Sequence, residues 1–299
     1  MSEAAATPNG TGANNADVSR ILGNIVIPPC PRIVLAMVEE ARSDDPDFLK
    51  LDKLISGDIG LASAVIKTAN SPYYGLNHKV MAVKSALQVL GLGSVTNIVT
   101  LLALRNALSA PGRAPDPFWD QFWDRTNYHA IACARLARQL RFISTDGAFT
   151  FGLFNDCGIP VLVQRFENYR ETMRLASTTE RPLVELEYER HKATHTVIGA
   201  ILATSWQLPD LVSNAIRDHH TFDLLYGETP AGQGEIAALV AISLIADYLV
   251  NDFLGTPQDS DWQRHGAQAI DYLGIDEEEL LESKTDILEE LLEAQAYRK

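Results

Sequence analysis

The chain has 299 residues, 46% apolar and 21% charged, with a formal net charge of −14 at pH 7. That length holds one large domain or two ordinary ones with a sizeable core. The acidic balance disfavours a face that tracks a phosphate backbone, which needs concentrated Lys and Arg, so direct nucleic-acid binding is not expected. Cys30, Cys133 and Cys157 are far apart with no CxxC pair. Neither a disulfide framework nor a zinc ribbon is indicated, and a reducing cytoplasm fits this usage.

Residues 1–17 are small and polar, without the basic start and apolar run of a signal peptide, and read as a disordered tail. The segment IVIPPCPRIVLAMVEEARSD then gives a proline-bounded entry followed by a helical face at Val34, Leu35, Val38 and Ala41. Asp45 or Pro46 opens a second helix with apolar residues at Phe48, Leu51, Leu54 and Ile55, the spacing of a one-sided helix. DIGLASAVIKTAN is a third, stopped by the turn formers of ANSPYYGL; Tyr73-Tyr74-Gly75 reads as a loop. VKSALQVLGL and SVTNIVTLLALRNAL are two more, divided by Gly91 and Gly93. No segment alternates with a period of two, so the fold class is all-α.

SAPGRAPDP, residues 109–117, is the best linker candidate. Beyond it the pattern predicts helices near 118–140, 146–165, 180–205, 208–220 and 234–254, then a C-terminal helix or helix pair with an acidic start and a basic end. IAALVAISLIADYLV, with Asp247 inside it, is too short to span a bilayer and reads as a buried helix, so no membrane association is expected. Trp119 and Trp123, four apart, share a helix face suited to packing between lobes; Trp206 reads as an anchor for the helix after Pro209. Cys157 is expected to be buried and inert.

The second half carries polar residues where a packed core wants apolar ones. FNDCGIP places Asn155 and Asp156 side by side in an apolar segment; His129, His195, His219, His220 and Asp247 stand on the neighbouring helices. Buried amides and carboxylates must be hydrogen-bonded or bound to a cation. A helical bundle can bring such groups to one interior point, as carboxylate–histidine metal sites do. The plainer reading is a hydrogen-bonded polar core in which carboxylates pair with imidazoles.

With these residues in view, the chain after its tail resembles the HDOD branch of the HD superfamily of metal-dependent phosphohydrolases, related to the HD-GYP branch. The resemblance rests on the proline-bounded entry, on the run DIGLASAVIKTANSPYYG from Asp58 and on the turn SALQVLGLG from Ser85. It implies a two-lobed helical architecture: an N-terminal HDOD lobe over 18–110, an HD-like bundle over 111–255 and a helical extension over 256–299. It also implies a metal site in which His129 matches the first histidine, Asp156 the aspartate of the His-Asp pair, Asp247 the late aspartate, and His195, His219 and His220 three added histidines. Asn155 stands where the pair's histidine belongs.

An amide oxygen is a weaker ligand than imidazole for iron, zinc, manganese or nickel, the ions such a site would take. Ile159 stands where many catalytic relatives carry a lysine, and no GYP signature follows His220. The resemblance therefore implies a non-catalytic bacterial signal-transduction protein that acts through contacts with regulatory or signalling proteins. Metal binding at the degenerate site belongs to the same expectation. The alternatives are a metal-dependent phosphohydrolase acting on a nucleotide or phosphate ester, and a nucleotide-sensing binding module.

Overall fold

A computed structural model describes residues 26–70, 76, 78–109, 116–140, 143–179, 181–227 and 230–296. The N-terminal tail, the Tyr73-Tyr74-Gly75 loop and linker residues 110–115 lie outside the described residues. Among those described, every regular element is helical. The first lobe holds α1 (Arg32–Ala41), α2 (Phe48–Ser56), α3 (Ile59–Ala69) and the first half of α4 (Val83–Leu108). Asp47 and Asp58 cap α2 and α3 by accepting backbone N–H groups of the first turn, which is why those helices start there. The two helices expected around Gly91 form one run with a kink: Gly91 sits at φ 76°, ψ 166°, a backbone region open to glycine alone.

The second lobe contains α5 (Pro117–Leu140), α6 (Thr145–Phe154), α7 (Gly158–Arg165), α8 (Tyr169–Thr179), α9 (Leu183–His191), α10 (His195–Ser205) and α11 (Asp210–Asp218). A 3₁₀ turn (Phe222–Leu225) and α12 (Gly234–Leu254) complete it, and α13 (Ser260–Leu273) and α14 (Glu277–Ala296) pack against it. Four points of the sequence reading need correction. The helix foreseen over 146–165 breaks at Asn155–Cys157, and that over 180–205 breaks at Lys192, whose φ of 57° turns the chain between α9 and α10. The α8 helix was not foreseen, because only Tyr169 and Thr172 of its polar sequence are buried. The segment around Asp247 is not too short for a bilayer: α12 runs 21 residues, and by length and composition both it and α4 could cross one. Neighbouring helices bury 78% of the most apolar window of α12, so burial rather than length makes it a core helix.

Two hydrophobic clusters organise the molecule. The smaller gathers Met37, Leu51, Ile55, Leu61, Val65, Leu87, Val95 and Val99; the larger is built on α5, α6, α10, α11 and α12. Helix α1 contributes Val34 to the larger and Met37 to the smaller, and α4 passes from one to the other, so two helices join the lobes. Ala269, Leu273, Ile287 and Leu291 place α13 and α14 in the larger core. Trp206 is buried edge-on against Phe154, and its Nε1 donates to the Pro28 carbonyl at 3.0 Å, fastening the entry segment to the second lobe. Trp123 and Cys157 are buried, and burial pushes the Cys157 thiol well above its ordinary pKa.

Candidate metal centre

The breaks in the helices position the polar residues. The break between α6 and α7 carries Asn155 and Asp156. Gly158 lies so close to the α10 backbone that an added Cβ would stand 2.1 Å from the His195 carbonyl oxygen, so only glycine lets the loop bearing Asp156 approach the start of α10. The turn at Lys192 folds α9 back so that Glu187 lies against His195. Helix α11 ends in His219 and His220, and the first turn of α13 supplies Asp261. On α12, Ser243, Asp247 and Asn251 are spaced by four and form one polar stripe on an otherwise apolar helix.

His195, His219 and His220 converge: one nitrogen from each lies within 4.8 Å of the other two. Each ring is fixed through its Nδ1. His195 donates to Glu187 at 2.8 Å, His219 to the Ile216 carbonyl at 2.7 Å and His220 to Asp261 at 2.9 Å. Glu187 is wholly buried, and it also accepts from the His195 backbone N–H and from the Tyr169 hydroxyl. Burial and the charge of Glu187 push the Tyr169 phenol well above its usual pKa and keep it a donor. A carboxylate or carbonyl behind each imidazole is the outer arrangement found around metal-ligating histidines.

Burial, joined by the charges of His220 and His195, holds the His219 imidazole well below its ordinary pKa, so its Nε2 carries a lone pair at neutral pH. That Nε2 lies 3.2 Å from Nε2 of His195, whose Nδ1–H is committed to Glu187. Two ring lone pairs at this distance repel unless a positive centre, a proton or a metal ion, lies between them. Asp156 stands 3.5 Å from Nε2 of His195 and 3.8 Å from that of His219, with its carboxylate partly exposed. Three imidazoles and a carboxylate suit a divalent transition ion, so the residues present fit a metal. Burial opposes charge on His220, but the hydrogen bond and charge of Asp261 outweigh it and raise the His220 pKa to about 9. Burial likewise lifts the Asp261 carboxyl, and His220 overcomes that to hold it below its ordinary value.

The other three sequence-derived residues form a second hydrogen-bonded network that reaches the trio through charge, His129 acting on His219 and Asp247 on His220. His129 lies between two backbone carbonyls, Gly152 at 3.1 Å from Nδ1 and Ser243 at 3.3 Å from Nε2. Carbonyls only accept, so a ring protonated at both nitrogens serves both, while the Ser243 hydroxyl, also 3.3 Å from Nε2, is the one neighbour there that can donate as well as accept. Burial works against that charge; the Cys133 thiol and the Asp247 carboxylate outweigh it and carry the pKa up to about 10. Asp247 lies 3.7 Å from His129 Nε2 and accepts from Arg125 at 2.7 Å. Asn155 is buried and donates its amide to the Ser243 hydroxyl at 3.2 Å.

Sequence reasoning missed Glu187, Asp261, Arg125 and Ser243. Arg125 lies four residues before His129 and Ser243 four before Asp247, a one-turn spacing that was legible. Glu187 is one of three glutamates in LVELEYERH, and Asp261 one of two aspartates at a helix cap; nothing in the sequence sets either apart.

The HDOD domain profile matches residues 27–222. A protein of Treponema pallidum (strain Nichols) without a functional name is 23% identical over 270 residues, and the match covers 90% of this chain but only 50% of that protein. The chain thus spans about half the length of this curated relative. Among solved structures, a Shewanella amazonensis SB2B protein provisionally named a phosphohydrolase has a TM-score of 0.70 at 20% identity, over 95% of this chain and 98% of its own. A Marinobacter aquaeolei VT8 protein provisionally named a signal transduction protein has a TM-score of 0.70 at 22% identity, over 96% of this chain and 65% of its own. These structural likenesses concern the fold. With the HDOD profile matched over most of its length, the chain belongs to the HDOD family.

Proposed function

We propose that this HDOD protein is a non-catalytic regulatory module of the bacterial cytoplasm. It holds one divalent transition-metal ion, iron, zinc, manganese or nickel, at His195, His219, His220 and Asp156, and it relays a signal through contacts with other regulatory proteins. The ion would contribute Lewis acidity at these four residues. The observation that carries the reading is the separation of the seven candidate residues into two groups. One presents three convergent imidazoles with Asp156 beside them. In the other, Arg125 and the His129 imidazolium neutralise Asp247, and Asn155 is spent on Ser243. A hydrolytic centre built from all seven would need the second group as ligands.

The name of the Marinobacter protein supports the signalling role, and the lobe boundaries near residues 110 and 255 belong to the same proposal. The test is turnover of p-nitrophenyl phosphate, bis(p-nitrophenyl) phosphate and cyclic dinucleotides by protein reconstituted with each metal in turn. Metal uptake without hydrolysis above background is expected; hydrolysis that rises with metal loading would overturn the proposal.

The imidazole trio and the name of the Shewanella protein favour a second reading, a metal-dependent phosphohydrolase acting on a phosphate ester. On that reading Asn155→His restores the missing ligand and creates or raises hydrolysis. On the regulatory reading it changes metal content at most.

A further inference from the structure

We propose that Arg125 is a built-in cation that takes the electrostatic role of a second metal ion at the His129–Asp247 side of the bundle, restricting the chain to one ion. This rests on the reading that the imidazole trio binds the first. The guanidinium is fixed at two points: Nη2 donates to Asp247 at 2.7 Å and Nη1 to the Asn251 side-chain oxygen at 2.6 Å. Asn251 is buried, and its oxygen also accepts from the Thr256 hydroxyl at 3.0 Å, so the receiving group is itself held. The second oxygen of Asp247 faces His129 at 3.7 Å. Both oxygens of this partly buried carboxylate are therefore compensated by side chains of the protein.

A divalent ion brought to Asp247 would meet the Arg125 charge in a poorly solvated setting, where like charges repel strongly. Arginine cannot relieve that repulsion by losing its proton. The trio differs: its anchoring groups are Glu187, Asp261 and a carbonyl, and Asp156 stands beside it, all of which favour a cation. Arg125 thus sets where a metal binds without touching it.

The test is metal content per folded chain after equilibrium dialysis against Mn²⁺ or Zn²⁺. One equivalent is expected for the wild type and for Arg125→Lys, which keeps the charge. Asn155→His alone is expected to stay at one, Arg125→Gln combined with Asn155→His to approach two, and adding Asp247→Asn should remove the gain. Asp247→Asn in the otherwise natural chain should leave one equivalent, which keeps the test decisive even where the Arg125 variants fold poorly. One equivalent in the folded double variant, two in Arg125→Lys, or loss of the single ion in Asp247→Asn would each overturn the role of Arg125. No metal in the wild type would overturn the trio reading; a gain in the double variant that depends on Asp247 and is absent from Asn155→His alone would then still support Arg125, and an equal gain in Asn155→His alone would overturn it. No metal in either would overturn both.

Discussion

At the residue scale, the His220–Asp261 pair gives opposite pH dependences to the stability of metal-free protein and to the increment that metal adds. The folded pKa of His220, about 9, exceeds the ordinary histidine value of about 6.5, so folding takes up a proton. In metal-free protein this contribution is complete below about pH 6.5 and is lost as pH rises through about 9. A metal ligand must be deprotonated, so metal binding strengthens over the same window. The melting temperature of metal-free protein should therefore fall from pH 6.5 toward 9, while the increment on adding metal grows. An increment that shrinks with pH would remove His220 from the ligand set. Glu187→Gln removes the charge behind His195 and one of the hydrogen bonds that set its orientation. Metal affinity should fall by about 10- to 100-fold while the helical circular dichroism is kept. The seven polar residues were legible because each interrupts an apolar face; their division into two networks was not. It depends on Arg125, Glu187 and Asp261, whose side chains meet the site only after the helices fold together.

At the element scale, two glycines carry most of the geometry. Gly158→Ala would press a methyl group against the His195 backbone, which cannot move aside as a flexible side chain would. A loss of about 3 kcal/mol or more is expected in urea unfolding, together with weaker metal binding. Gly91→Ala meets no atom within 4 Å of the added carbon, so its cost is backbone strain alone, about 1–3 kcal/mol. It should lower the melting temperature and leave metal binding unchanged. Helix positions followed from the apolar spacing wherever one face is buried, as at Leu51 and Ile55. They failed at α8, which buries little, and at Lys192, a non-glycine residue with positive φ that no turn signal marks.

At the scale of the whole molecule, α1, α4 and the Trp206–Pro28 hydrogen bond join the lobes. Trp206→Phe should keep much of the buried volume, lose that bond and cost about 1 kcal/mol beyond any packing loss; Trp206→Ala should cost about 3–5 kcal/mol. Chemical denaturation measures both losses, and a Trp206→Phe chain as stable as the wild type would show that the bond contributes nothing. The all-helical class and the lobes were legible because apolar spacing and the DIGLASAVIKTANSPYYG run are local. The contribution of α13 was not, because it rests on one carboxylate reaching His220 over a sequence separation of 41. The most direct measurement is elemental analysis of metal per chain, without a histidine tag or chelator, for the wild type and for His195→Ala and His219→Ala. About one equivalent of a divalent transition metal in the wild type and a stoichiometric loss in both variants is the expected result. A wild type that stays metal-free after reconstitution, or variants that keep their full metal, would contradict a metal centre at the imidazole trio.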